Sequence, residues 1–227
     1  MLSDLVALLD DLQPGPIHLL AHDWGALLGY HLCLRCPVQI RSYLSLGIPP
    51  PYFEFDARLV AGILRAAPFE LLMPIPFLAP LLLRRGSQRL LRSMFADHAT
   101  AGAFGEDDVE LFLARFREPE RARAGSALYR NFIQPEAVRI MSGSYRGRRL
   151  TTATRVLLGV DDPAMRRDYL HGYEHFVDDV GMVLVDGASH FLADDRPDIV
   201  VTHAVEFFSS ASRPSGQTPP DGRGGMH

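Results

Sequence analysis

The stretch from Ile17 to Gly47 most constrains what this chain can fold into. "IHLLAHD" is a short apolar run with the length of a buried strand. Residues 25 to 36 then carry apolar positions at helical spacing, and Pro37 follows them. "RSYLSLG" is a second short apolar run, closed by Gly47 and three prolines. The pattern returns late in the chain. "TRVLLGVDD" predicts a third strand, "GMVLVDG" a fourth, and "RPDIVVTHAVEFFSS" a closing amphipathic helix with Pro197 in its first turn. Short apolar strands alternating with helices predict an α/β fold: a mostly parallel sheet with helices on both faces.

Between the second and third strands the character changes. Residues 50 to 148 hold helical stretches such as "EDDVELFLARF" and "SALYRNFI" but no convincing strand, which predicts an all-helical insertion. At the start, Ser3 can cap a helix running to about Gln13, where "PGP" breaks it. "MRRDYLHGYEHFV" reads as a helix. The end, "SRPSGQTPPDGRGGMH", is rich in glycine and proline and poor in apolar residues, so it reads as a disordered tail. The expected organisation is a core of residues 1–49 and 149–209, a helical lid over 50–148, and a tail over 210–227.

Composition removes whole classes of function. The formal net charge is −4, which leaves no basic footprint for nucleic acid. All basic side chains other than histidine are arginine, so lysine-dependent chemistry is excluded: no Schiff base, no phosphate-loop lysine, no Ser-Lys dyad. Cys33 and Cys36 fall late in a predicted helix, where no helix N-terminus stabilises a thiolate. They read as helix and core residues and fit a cytoplasmic address. The first residues lack the basic and apolar regions of a signal peptide. The most hydrophobic stretch, residues 59 to 85, is interrupted by Arg65, Glu70 and four prolines. It reads as a lid or pocket wall rather than a membrane span. His171 and His175, with Glu174, have metal-like spacing, but no further ligand supports a site and they read as a solvated face. No metal is expected.

In open α/β sheets, ligands bind beyond the carboxyl ends of the strands. That rule selects Asp23 after the first strand, Asp161 and Asp162 after the third, and His190 in "GASHF" after the fourth. A strand that turns at once into a helix leaves its junction residue strained and exposed, and needs small neighbours. Ala21 and Gly25 meet that demand around Asp23. The following helix N-terminus favours an ionised carboxylate there. Asp is also a favoured N-cap residue, so this window alone does not choose between a reactive group and a cap. Asp162 can likewise be a turn residue before Pro163, and His18 and His22 read as structural.

Asp23, Asp162 and His190 follow the order nucleophile, acid, histidine known for hydrolase triads on such sheets. The chain resembles the α/β-hydrolase superfamily and, within it, the epoxide hydrolase branch. "HDWGA" resembles that branch's nucleophile elbow, "LLGVDDPAM" its acid-bearing loop, and "GYEHFVDDVGMVLVDGASHFLADDRPDIV" its terminal histidine region. "ALYRNF" resembles the lid segment with a ring-opening tyrosine. The resemblance implies Asp23 as nucleophile and Trp24 as donor of an oxyanion amide. It implies Asp162, rather than Asp161, as partner of the general base His190, and Tyr129 as proton donor to the ring oxygen. It implies a small hydrophobic epoxide as substrate, a vicinal diol as product, and no cofactor.

The sequence also departs from that pattern. Family members carry four strands ahead of the elbow's strand and a His-Gly-x-Pro loop that donates a second oxyanion amide. This sequence has one helix there and no such motif. It therefore reads as N-terminally truncated, with an exposed sheet edge through which it is expected to self-associate. The family presents two lid tyrosines. Only Tyr129 matches; Tyr52, Tyr145 and Phe77 lie in the insertion without aligning to the second. Ala21 replaces the glycine commonly found two before the nucleophile. Alternative readings are a haloalkane or haloacid dehalogenase, although no second Trp exists to hold halide, and a catalytically impaired fragment.

Overall fold

The computed structural model describes residues 1–13, 15–52, 68–163, 165 and 170–211. Chain order begins with α1 (Leu2–Leu12), β1 (Ile17–His22), α2 (Asp23–Arg35) and β2 (Ile40–Leu46). Among the described residues, five helices follow: α3 (Pro68–Leu72), α4 (Leu78–Arg84), α5 (Arg89–His98), α6 (Glu106–Phe116) and α7 (Pro119–Leu128). A π-helical turn over Tyr129–Ile133 joins α7 to α8 (Gln134–Met141). The chain returns to the sheet through β3 (Ala153–Gly159), a 3-10 turn (Glu174–Phe176) and β4 (Val180–Val185). It closes with α9 (Leu192–Asp195) and α10 (Pro197–Ala211).

The four strands form one parallel sheet in the order β1-β2-β3-β4. Between residues 68 and 148 every described element is helical. The α/β architecture with a helical insertion thus appears where the sequence predicts it. Strand β2 shows why the sheet is parallel and covered: Ser42 to Leu46 are all buried, on both faces. Tyr43 faces one apolar layer with Ala26, Tyr30, Leu32 and Cys33 of α2. Leu44 and Leu46 face the other, with Leu157, Val185, Leu192, Val200 and Phe207. Two hydroxyls of β2 find partners in this core. The Tyr43 hydroxyl donates to the Ala26 carbonyl at 2.6 Å, and the Ser45 hydroxyl to the Ile48 carbonyl at 2.6 Å. Helix α2 lies so close to β2 that a Cβ at Gly29 would stand 2.6 Å from the Tyr43 ring. Only glycine fits that crossing.

The lid has its own apolar centre of Phe69, Met73, Leu83, Leu91, Leu113, Ala122, Tyr129 and Ile133. Trp24, one residue past the β1–α2 junction, packs against it. The buried Gln88 amide donates to the carbonyls of Leu83 (2.6 Å) and Leu113 (2.8 Å), tying α4 to α6. At the lid's base, buried Glu136 accepts from Tyr145 and Arg139 and lies 3.1 Å from Nε2 of His31 on α2.

Local expectations fail in two places. The first helix starts at Leu2 with Met1 as its cap, so Ser3 sits inside it and makes no cap bond. Residues 170–173 are not helical, and only Glu174–Phe176 form a short turn, so His171 and His175 do not share a helix face. Residues 164 and 166–169 of that stretch lie outside the described residues, as does the tail from 212. The breaker "PGP" does follow α1, with Gln13 in the left-handed region at φ 43°. Among the described residues, no group of three His, Cys, Asp or Glu is placed to hold a metal ion, and no helix is long and apolar enough to cross a membrane.

Candidate active site

The passage from β1 to α2 has no intervening loop. His22 ends the strand in an extended conformation, and Asp23 begins the helix with φ +53°. A non-glycine residue in that region carries backbone strain, and such strain collects at functional positions. His22, not Asp23, is the cap residue of α2, and it makes no side-chain cap bond; Asp23 is an acidic residue of the helix's first turn. It remains half-exposed and stands 3.3 Å from Nε2 of His190.

His190 sits in the loop after β4. Its Nδ1 lies 3.0 Å from Oδ2 of Asp162, in the loop after β3. Asp162 is buried, and its Oδ1 accepts the Met165 amide at 3.1 Å. Asp161 points elsewhere: it is exposed, and its backbone amide donates to the Ala188 carbonyl at 3.0 Å. Of the two neighbouring aspartates, Asp162 is the one whose carboxylate lies against His190. A linear relay Asp23–His190–Asp162 results. Burial alone would lower the His190 pKa, but its bonds to Asp162 and Asp23 overcome this and push it up to about 10. The two carboxylates favour the protonated imidazole.

Several residues fix this histidine. The His22 ring donates from Nε2 to the His190 carbonyl at 2.8 Å, and the His190 amide donates to the His98 carbonyl at 3.0 Å. Burial and then repulsion from His190 lower the His22 pKa, which keeps it a neutral donor. Asp195 accepts the Ser189 amide at 2.7 Å and both the amide (3.0 Å) and hydroxyl (2.6 Å) of Thr100, stapling the histidine loop to the lid. Gly159 permits the closest approach: a Cβ there would come within 2.2 Å of the Ser189 carbonyl oxygen. His22 reads as structural from the sequence; the structure makes it a positioning group for His190.

The lid faces this relay through Tyr129, which opens the π-helical turn. Its ring stands edge-on to Trp24 at 6.1 Å and to Phe69 at 5.7 Å. Burial pushes its hydroxyl pKa far up, so it stays protonated. Beside Phe69, Glu70 is largely withdrawn from solvent. Burial, with the negative charge of Asp23 adding to it, raises its pKa to about 7. The sequence shows Glu70 only as a charge interrupting an apolar run. The other aromatic candidates, Tyr52, Tyr145 and Phe77, are engaged elsewhere or exposed. Tyr52 stacks on Phe176 in the core, Tyr145 bonds Glu136 and His31, and Phe77 is exposed.

Asp, His and Asp at three strand ends beneath a helical lid define the class of α/β hydrolases. Residues 1–203 match the family model described as "Alpha/beta hydrolase family", and the chain belongs to that family. It is 23% identical over 208 residues to human "Epoxide hydrolase 4", an alignment spanning 88% of this chain and 55% of that protein. It is 24% identical over 229 residues to "Epoxide hydrolase 2" of Siraitia grosvenorii, spanning 87% and 71%. The chain thus spans about half the length of the human relative. In fold it is similar to a putative epoxide hydrolase from Pseudomonas aeruginosa, with TM-score 0.73 and 22% identity over 92% of this chain and 70% of that one. It is similar also to an epoxide hydrolase from Vigna radiata, with TM-score 0.71 and 20% identity over 92% and 74%.

Proposed function

We propose that this chain opens epoxides to vicinal diols through a covalent ester on Asp23. The observation that carries the reading is an aspartate, not a serine, at the strained elbow, 3.3 Å from the histidine. A serine there would need a base to become nucleophilic, whereas an aspartate is an anion at neutral pH. Asp23 attacks a ring carbon and the C–O bond to the ring oxygen breaks. Tyr129 donates a hydrogen bond to that oxygen as charge develops on it.

Ester formation removes the charge of Asp23. His190 then keeps only Asp162 as a carboxylate partner, so its pKa falls and it releases its proton to solvent, while the ring-derived oxygen, hydrogen-bonded to Tyr129, takes one up to become a hydroxyl. This converts a cation in the resting enzyme into the general base of the second step. His190 takes a proton from water, and the water oxygen attacks the Asp23 carbonyl carbon. The backbone amide of Trp24, at the first turn of α2, holds the oxyanion. Collapse of the intermediate releases the diol and restores Asp23. The apolar surroundings of Tyr129, Trp24 and Phe69 favour a small hydrophobic substrate.

The test is trapping. Incubation with an epoxide, acid quench and peptide mass analysis should place the substrate's mass on the peptide containing Asp23. His190→Ala should accumulate that adduct, because its hydrolysis stalls. Substrate mass on another residue, or an unlabelled Asp23 in the His190→Ala protein, refutes the proposal.

A further inference from the structure

We infer that Asp195 and Thr100 are positioning residues for ester hydrolysis: the clasp between them makes the end of lid helix α5 part of the mounting of His190. The inference rests on the reading of His190 as general base of the second step. It starts from a carboxylate outside the relay. Asp195 closes α9, in the segment that follows His190. One of its oxygens accepts the Ser189 amide at 2.7 Å. The other accepts both the amide and the hydroxyl of Thr100, at 3.0 and 2.6 Å. Neighbouring Arg196 turns its guanidinium to Asp198, at 3.0 and 2.9 Å, and to the Asp186 carbonyl at 2.9 Å. The charge of Asp195 is thus met by polar groups of the two segments it joins, and hydrogen bonds to an ionised acceptor are the strong kind.

Both joined segments reach His190. Ser189 precedes it in the chain. Thr100 lies just past His98, whose carbonyl accepts the His190 amide at 3.0 Å. The His98 ring also stands edge-on to that of His190, with centroids 6.0 Å apart. His190 therefore has its amide anchored to the lid and its carbonyl to His22 of the core, at 2.8 Å. These anchors hold the ring between Asp162 and Asp23, although His190 lies in a loop. Without the clasp, residues 98–100 and 189–190 are free to part, and the ring leaves the line between the two carboxylates.

The two chemical steps place different demands on this geometry. Asp23 attacks as an anion and needs no base. Hydrolysis of the ester needs the His190 ring within hydrogen-bond reach of the water it deprotonates. Misplacement by about 1 Å can cost about 10²-fold in rate. Loosening the clasp is therefore felt in the second step and not in the first.

The experiment reads each step separately in the full chain, with a terminal epoxide as probe. Quenched mass analysis follows formation of the Asp23 adduct, then its first-order decay after excess epoxide is removed. The decay constant does not depend on how much of the protein is folded, so a general loss of stability lowers the amount of adduct and leaves its decay unchanged. Thr100→Val removes the hydroxyl bond, Thr100→Ser keeps it, and Asp195→Ala removes the whole clasp. Adduct formation should stay within about threefold of the parent in all three. Decay should slow by about tenfold or more in Asp195→Ala and about threefold or more in Thr100→Val, while Thr100→Ser should stay within about twofold of the parent. The double variant of Thr100→Val with Asp195→Ala should decay within about twofold of Asp195→Ala alone, because both changes remove one shared contact. Parental decay in Asp195→Ala, equal slowing of formation and decay, slow decay in Thr100→Ser, or multiplied effects in the double variant overturns the inference. Absence of adduct on Asp23 of the parent protein refutes instead the nucleophile reading beneath it.

Discussion

Replacing Gly159 with alanine would test whether the histidine loop is held by contact with β3. The added Cβ would lie 2.2 Å from the Ser189 carbonyl oxygen and 2.4 Å from that of Ala188. Both obstacles are backbone, so neither can rotate aside. Ordinary contact begins near 3.4 Å, which requires a shift of about 1 Å in residues 188–189. His190 is the next residue, and its Nε2 stands 3.3 Å from Asp23. A displacement of that size takes the pair beyond hydrogen-bond reach, and misplacement by about 1 Å can cost about 10²-fold in rate. Overpacking of this kind costs about 1–3 kcal/mol. For a domain of this length that lowers Tm by about 2–12 °C. Thermal melts followed by circular dichroism read the stability, and diol production reads the rate. The Gly159→Ala protein should retain its far-ultraviolet spectrum, melt lower and lose most activity. Wild-type Tm together with wild-type turnover would refute the close-contact account.

Asp162→Asn should let the His190 pKa fall and slow ester hydrolysis by about 10²–10⁴-fold, with the Asp23 ester accumulating in single-turnover experiments; unchanged hydrolysis would remove Asp162 from the relay. His190 is raised from 6.5 to about 10 by its carboxylates, so its stabilisation is complete below pH 6.5 and is lost as pH rises through about 10. Melting temperatures between pH 6 and 10.5 should decline across that window, and the decline should shrink in His190→Gln. Gly29→Ala should destabilise by about 1–3 kcal/mol, because the new methyl meets the Tyr43 ring at 2.6 Å; denaturant titration measures it, and a neutral result would show that α2 slides without cost.

The sheet was readable because buried parallel strands leave short apolar runs with little else to become. The three strand-end residues followed, since the carboxyl ends of such strands are where side chains project past the layer. Asp161 and Asp162 could not be separated by the strand's periodicity, because the turn after β3 decides which carboxyl enters. The stretch 170–176 misled because its apolar and polar residues mimic a helical face, while tertiary contacts hold it as an irregular connection. The burial of Glu70 was not legible either, since it depends on packing of the helical insertion that no local pattern encodes. Tyr129 was visible through resemblance, but the widened turn beneath it was not, since helical periodicity carries no mark of one surplus residue.

That widened turn at 129–133 has a consequence for how such a lid can change. A π-helical turn holds one more residue than the α-helical turn it replaces, and each α-helical residue turns the chain by about 100°. Loss of a single codon within it would restore an unbroken rod from 119 to 141 and swing the preceding segment by roughly a quarter turn. A different side chain would then overlook the elbow, with both flanking segments still helical. Substrate preference in this architecture can thus be rewritten by a one-residue deletion, where substitution alone would need several coordinated changes.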